Sequence, residues 1–214
     1  MRKILEFGGV AAGVVLIAFG AAAIVLGVNG RSTVQDNLKQ QQIVGTPDMT
    51  PSGIAAEAKA ANLPASIPLP TCSVANKAVT TGAEARCFAQ YMQIHAYEAT
   101  GGVPYSQMPR YASPDGKGTN DAAKATKSAS GQPLDNPARD IWVTETALTG
   151  ALNSAYMAEQ ISNFGIVVGI ALLLTGVGFG ILALGGALAS GGWLFNRSER
   201  KKATAKTTTE PVAG

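Results

Sequence analysis

The 214-residue chain contains one histidine, His95, and a carboxylate follows it one helical turn later at Glu98. Residues three apart on a helix share a face. An imidazole and a carboxylate at this spacing can form an acid–base couple or half of a metal site. The same pair has a plainer reading, as a ring that takes up a proton near the last carbonyls of a helix and is balanced by its neighbour. Catalysis asks for more than this pair offers. There is no second histidine, and no nucleophile elbow is apparent. The expectation is a protein that is not an enzyme, with no catalytic residue, cofactor or metal, in which His95 and Glu98 are the one pair that could act.

The other chemistry-bearing residues are Cys72 and Cys87, the only two cysteines, with 14 residues between them. An even pair in a segment that leaves the cytoplasm reads as a disulfide. A bridge closing such a loop contributes about 3 kcal/mol in the chain-entropy account. A lipidated Cys72 fits poorly, because Leu69-Pro70-Thr71 is a weak lipobox far from the N-terminus, and a zinc pair lacks further ligands. Gly176-Val177-Gly178-Phe179-Gly180 has the look of a nucleotide loop, but it lies in an apolar run without the strand–turn–helix setting that such a loop needs.

The elements that must position these residues follow from where the apolar residues fall. The composition is 46% hydrophobic, 14% charged and rich in glycine, with 25 in all. Most of the apolar residues lie in two uncharged runs. The first, Phe7 to Val28, would extend about 33 Å as a helix, enough to cross a hydrocarbon core of about 30 Å. A cleaved signal peptide is the rival reading, but the run is longer than a signal core and no small-x-small site closes it. The second uncharged run, Phe164 to Phe195, exceeds one span and should tilt or break near Gly185-Gly186 or Ser190-Gly191-Gly192. Trp193 and Phe195 beside Arg197 suit an interfacial anchor. Gly9/Gly13, Gly165/Gly169 and Gly176/Gly180 each make a Gly-x-x-x-Gly pair, the spacing that lets membrane helices approach closely.

Orientation follows from the basic residues. Arg2 and Lys3 precede the first run, and Arg197, Arg200, Lys201, Lys202 and Lys206 follow the second, which assigns both termini to the cytoplasm. Residues 29–163 hold 10 Lys/Arg against 11 Asp/Glu, so they carry no retention signal and form the extracytoplasmic domain. The tail could also meet anionic lipid headgroups. A net charge of +3 is too small to suggest nucleic acid.

Within that domain, Val34 to Ile43 should extend the first membrane helix until Pro47. Thr50-Pro51 should cap a short helix over Ser52 to Asn62. Thr81 with Glu84 forms a capping box opening a helix over Gly82 to Thr100, closed by Gly101-Gly102. Residues 113–137 are polar and rich in Gly, Ser and Lys, and read as a mobile loop. Asn136-Pro137 then starts a long helix whose apolar face is Ile141, Trp142, Leu148, Leu152 and Tyr156, running unbroken into the second span. The fold class is an all-α membrane protein: two transmembrane helices (7–28 and 164–195), a small helical, disulfide-tied extracytoplasmic domain, a short cytoplasmic N-terminus (1–6) and a basic cytoplasmic tail (196–214).

The assembled order of basic start, span, Val34-Gln35-Asp36-Asn37-Leu38-Lys39-Gln40-Gln41-Gln42-Ile43, Pro47-Asp48, His95 through Gly102, Tyr105 through Met108, Ala138-Arg139 and second span resembles a family of two-span actinobacterial membrane proteins. The resemblance covers most of the chain outside residues 113–134 and the Cys72–Cys87 region. Members are often labelled aromatic ring-opening dioxygenases, a label that implies a non-haem iron centre with two histidines and a carboxylate. A chain with one histidine does not support it. In organisation and size the chain is also similar to accessory subunits of the actinobacterial cytochrome bc1–aa3 respiratory supercomplex. That likeness implies a non-catalytic plasma-membrane subunit whose partners are lipids and a larger integral membrane complex. A stand-alone envelope sensor or a small homo-oligomeric channel is the alternative. The near absence of polar residues in the second span, where only Thr175 and Ser190 occur, disfavours the channel.

Overall fold

The computed structural model describes residues 2–185. It contains four α-helices: α1 (Arg2–Gln41), α2 (Pro51–Ala60), α3 (Gly82–Ala99) and α4 (Pro137–Leu184), with a single 3-10 turn at Tyr105–Gln107. Among the described residues there is no β-strand, only isolated bridges. Two helices, Ile4–Gln41 and Pro137–Leu184, are long and apolar enough to cross a membrane. The helix boundaries have local causes. No proline interrupts α1 before Pro47, and the chain leaves it through Gln42 in a left-handed conformation (φ 52°). Pro137 opens α4, where the Asn136 side chain accepts from the Ala138 N–H at 3.1 Å, and no proline follows until Pro211. The expected break at Gly185-Gly186 or Ser190-Gly191-Gly192, the anchor at Trp193 and Phe195, and the basic tail lie at or beyond the edge of the described residues.

The chain divides into two compact units, residues 1–29 with 162–214 and residues 30–161. In the first, two helical segments run antiparallel and meet backbone to backbone. A Cβ placed on Gly13 would lie 2.8 Å from the Gly176 carbonyl oxygen; on Gly20, 2.7 Å from that of Gly169; on Gly27, 2.6 Å from that of Ser162. The contacts are reciprocal, since a Cβ on Gly169 or Gly176 would strike the Gly20 or Gly13 oxygen at 2.7 and 2.8 Å. Contacts therefore recur every seven residues on both helices, the period of a left-handed pair. Large side chains including Phe7, Phe19, Leu26, Phe164 and Leu174 turn outward and are exposed. Such a seam suits lipid, where close packing rather than water exclusion holds helices together.

The sequence-level glycine pairs map onto this seam unevenly. Gly13, Gly169 and Gly176 make the close contacts, and Gly9 is buried. Gly165 sits more loosely, its Cβ position 3.7 Å from the Ala23 oxygen. Gly180 has open space beside its own Cβ position, although its amide nitrogen would lie 3.3 Å from a Cβ on Gly13. The spacing of four marks the right helices, but the working repeat is seven and brings in Gly20 and Gly27.

The second unit is built on α2, α3 and the adjoining stretches of α1 and α4. Its core gathers Ile54, Val74, Val79, Tyr91 and Ile94, with Leu38 from α1 and Leu152 from α4. Cys72 and Cys87 form the disulfide, so the extended stretch before α3 is fastened to the helix's second turn. The Tyr91 hydroxyl donates to the Cys72 carbonyl at 2.6 Å and reinforces that link. A smaller cluster forms around Trp142, which stacks edge-on against Tyr97 and donates its indole N–H to the Val103 carbonyl at 3.0 Å. Ile141, expected on the apolar face of α4, is exposed instead. The polar segment 113–137 has no regular secondary structure before Pro137, as its composition implies. Main-chain bonds between Ala112 and Leu134 and between Thr126 and Ala112, both 2.9 Å, tie it down, and Ala125 is buried.

Candidate functional site

Three separate segments bring His95 and three carboxylates, Asp48, Glu57 and Glu98, together. The His95 Nδ1 lies 3.1 Å from Glu98 Oε2 on the same face of α3, the contact expected from their spacing. Its Nε2 lies 3.4 Å from Asp48 Oδ2, in the turn between α1 and α2, and Nδ1 is 3.9 Å from Glu57 Oε2 on α2. The ligating atoms of Asp48, Glu57 and His95 all lie within 4.8 Å of one another. All four side chains are part-buried, and Glu98 Oε1 is closed off from solvent without a hydrogen-bond donor.

Each arm of the site is held by its own local chemistry. Asp48 sits in a tight turn whose main chain bonds Met49 N–H to the Thr46 carbonyl at 3.1 Å. Met49 is buried, and its carbonyl accepts from the Ser73 hydroxyl at 3.1 Å, so the turn is fastened to the stretch that the disulfide joins to α3. Thr50 caps α2 by accepting the Gly53 N–H at 3.0 Å. Position 53 is restricted to glycine by contact, because a Cβ there would meet the Asp48 carbonyl oxygen. Helix α3 opens with the full capping box. The Thr81 hydroxyl accepts the Glu84 N–H, and the Glu84 carboxylate accepts the Thr80 and Thr81 N–H groups at 2.9 and 3.0 Å.

The charges respond to this arrangement. A hydrogen bond from the Thr46 side chain, aided by the nearby imidazole, holds the Asp48 carboxyl below the usual carboxylate range. Glu57 is pushed up, first by burial and then by the like charges of Asp48 and Glu98. The two shifts run in opposite directions because the Asp48 carboxyl has a donor of its own, whereas Glu57 loses solvent and meets two like charges. Among the described residues no lysine or arginine forms an ion pair with Asp48, Glu57 or Glu98. The arrangement is suited to holding a proton or a cation.

Sequence reasoning finds His95 and Glu98 because helical spacing predicts their contact. It misses Asp48 and Glu57, which reach the ring only through the folding of α2 against α3. It also misses Glu159, a buried carboxylate of α4. Glu159 accepts the Gly82 N–H at 2.6 Å and the Gln35 amide at 3.4 Å, and pairs with Arg31 at 3.5 Å. That residue anchors the N-terminus of α3 and supports the site's helix from below its first turn. No family model, curated protein or solved structure matches this chain.

Proposed function

We propose that this protein is a non-catalytic accessory subunit of a larger membrane complex, spanning the plasma membrane twice with both termini cytoplasmic and residues 29–163 outside. The observation that carries the reading is apolar surface in the second unit that the chain itself does not cover. An apolar groove of about 480 Å³ is lined by the part-buried Val34, Ile43 and Leu148 beside the buried Leu38 and Leu152, and Val143, Met157 and Ile161 are exposed elsewhere on α4. Exposed apolar surface rimmed by polar residues commonly marks a contact with another protein. Within the two uncharged runs, 7–28 and 164–195, no ionisable residue is present, which argues against a proton or ion pathway through them.

The resemblance to accessory subunits makes the actinobacterial cytochrome bc1–aa3 supercomplex the first partner to test. The experiment is a mild-detergent pull-down of the tagged chain from native membranes, read by haem absorbance and mass spectrometry. Stoichiometric cytochrome subunits are the expected result. A lone monomer or homo-oligomer overturns the proposal and leaves a stand-alone envelope sensor or a small homo-oligomeric channel, of which the titratable cluster around His95 favours the sensor.

A further inference from the structure

The cluster around His95 is the one place among the described residues where three or more metal-ligating side chains converge. It brings together an imidazole and three carboxylates from the turn before α2, from α2 and from α3. Ligands of a divalent ion bound at about 2.0–2.2 Å lie roughly 3–4 Å apart. The ligating atoms of Asp48, Glu57 and His95, within 4.8 Å of one another, need only a small contraction to meet that spacing. Asp48 and Glu57 are partly exposed, so their carboxylates have room to move inward.

Two further observations point to a cation rather than to a closed set of internal bonds. The buried Glu98 Oε1 has no donor, and among the described residues no lysine or arginine pairs with the three carboxylates, which share the single imidazole of His95. The protein thus gathers more negative charge than one imidazole can balance. In addition, Glu98 holds Nδ1 at 3.1 Å, with Glu57 more distant from that nitrogen at 3.9 Å, while Nε2 faces Asp48. This is how a carboxylate orients an imidazole whose other nitrogen binds a metal.

We infer that Asp48, Glu57 and His95 bind a divalent transition-metal ion of the zinc and manganese class, with Glu98 holding the ring in place. The nitrogen ligand favours that class over calcium and magnesium, which prefer oxygen alone. The ion would join the turn before α2, α2 and α3, so its role is to stiffen the second unit. The inference stands apart from the accessory-subunit proposal, because it is read from binding to the isolated protein.

The test uses the full chain in detergent micelles, stripped with chelator and titrated with zinc chloride, manganese chloride and calcium chloride. Calorimetry gives the stoichiometry, and the single imidazole gives one unambiguous set of NMR ring signals. The expected result is one equivalent of zinc bound, with the ring signals shifted by zinc and broadened by manganese. Asp48→Asn and His95→Gln should each weaken binding at least tenfold, and Glu98→Gln by about 10- to 100-fold. Asp121→Asn, on the exposed polar loop, should leave binding unchanged. Saturable binding that survives His95→Gln, or calcium binding as tight as zinc, overturns the inference in favour of a diffuse acidic surface. Should His95→Gln fail to fold, wild-type ring signals unmoved by manganese overturn it on their own.

Discussion

Removing the Glu159 carboxylate should loosen the N-terminus of α3, and the size of the effect can be worked from its contacts. Glu159 is 4% exposed. Its shortest bond, 2.6 Å, is from the Gly82 N–H at the first position of α3, one of the amides that a helix leaves without an internal partner. Gly82 lies directly against α4, where a Cβ would approach the Tyr156 Cα to 2.7 Å, so water has little room to replace the lost acceptor. A hydrogen bond to a charged group contributes about 1.5–3 kcal/mol, and stranding its buried partner puts the loss near the upper end of that range. The Arg31 contact adds only about 0.5 kcal/mol, because that side chain is half exposed and screened. Glu159→Ala should therefore cost about 3 kcal/mol, Glu159→Gln, which keeps an acceptor, about 1 kcal/mol, and Arg31→Ala about 0.5 kcal/mol. Amide hydrogen exchange at Gly82 and along the first turn of α3 reads this locally, the alanine variant losing about a hundredfold of protection. An Arg31→Ala variant as damaged as Glu159→Ala would refute the reasoning, because the exposed ion pair would then outweigh the buried bond.

Other perturbations separate the remaining forces. Gly20→Leu should drive the two helical segments of the first unit apart, since its side chain would meet the Gly169 oxygen and the Leu173 nitrogen, while Gly8→Leu, in open space, should be neutral; thermal unfolding in micelles distinguishes them. Reducing Cys72–Cys87 should cost about 3 kcal/mol and release the stretch that positions Asp48, seen as lower protection in α2 and the turn before it. Glu84 sits below the usual carboxylate range, because the donors of Thr80 and Thr81 outweigh the effect of burial. Its stabilising contribution is complete above the ordinary carboxylate pKa and is lost as pH falls through the depressed one, so Glu84→Gln should flatten the acid limb of a stability–pH curve. Glu57 has the opposite sign. Its raised pKa means that stability falls as pH rises from the ordinary carboxylate pKa to the raised one and stays reduced above it, so Glu57→Gln should stabilise the metal-free protein at neutral pH and not in acid.

What was legible in the sequence was what local rules govern. The uncharged runs measure their own length against a bilayer. Thr50-Pro51, Thr81 with Glu84, and Asn136-Pro137 announce helix starts because a cap acts within one turn, and all three helices begin there. An even pair of cysteines in a segment expected outside the cytoplasm pointed to the Cys72–Cys87 bridge. The contact between His95 and Glu98 follows from helical geometry. The heptad of close contacts was harder to see, because Gly-rich runs contain several spacings and only the facing helix selects among them. The true partners of Gly13, Gly20 and Gly27 lie on the antiparallel segment.

The tertiary structure alone decided which distant residues meet. Asp48 and Glu57 carry no periodic or motif signal linking them to His95, and Glu159 lies 77 positions from the amide it binds. Caps, spans and helical neighbours are written in short-range backbone geometry, which depends only on adjacent residue types. A cluster assembled from a turn and two helices depends on how those elements pack, and packing is a property of faces meeting in space that no single stretch of sequence contains.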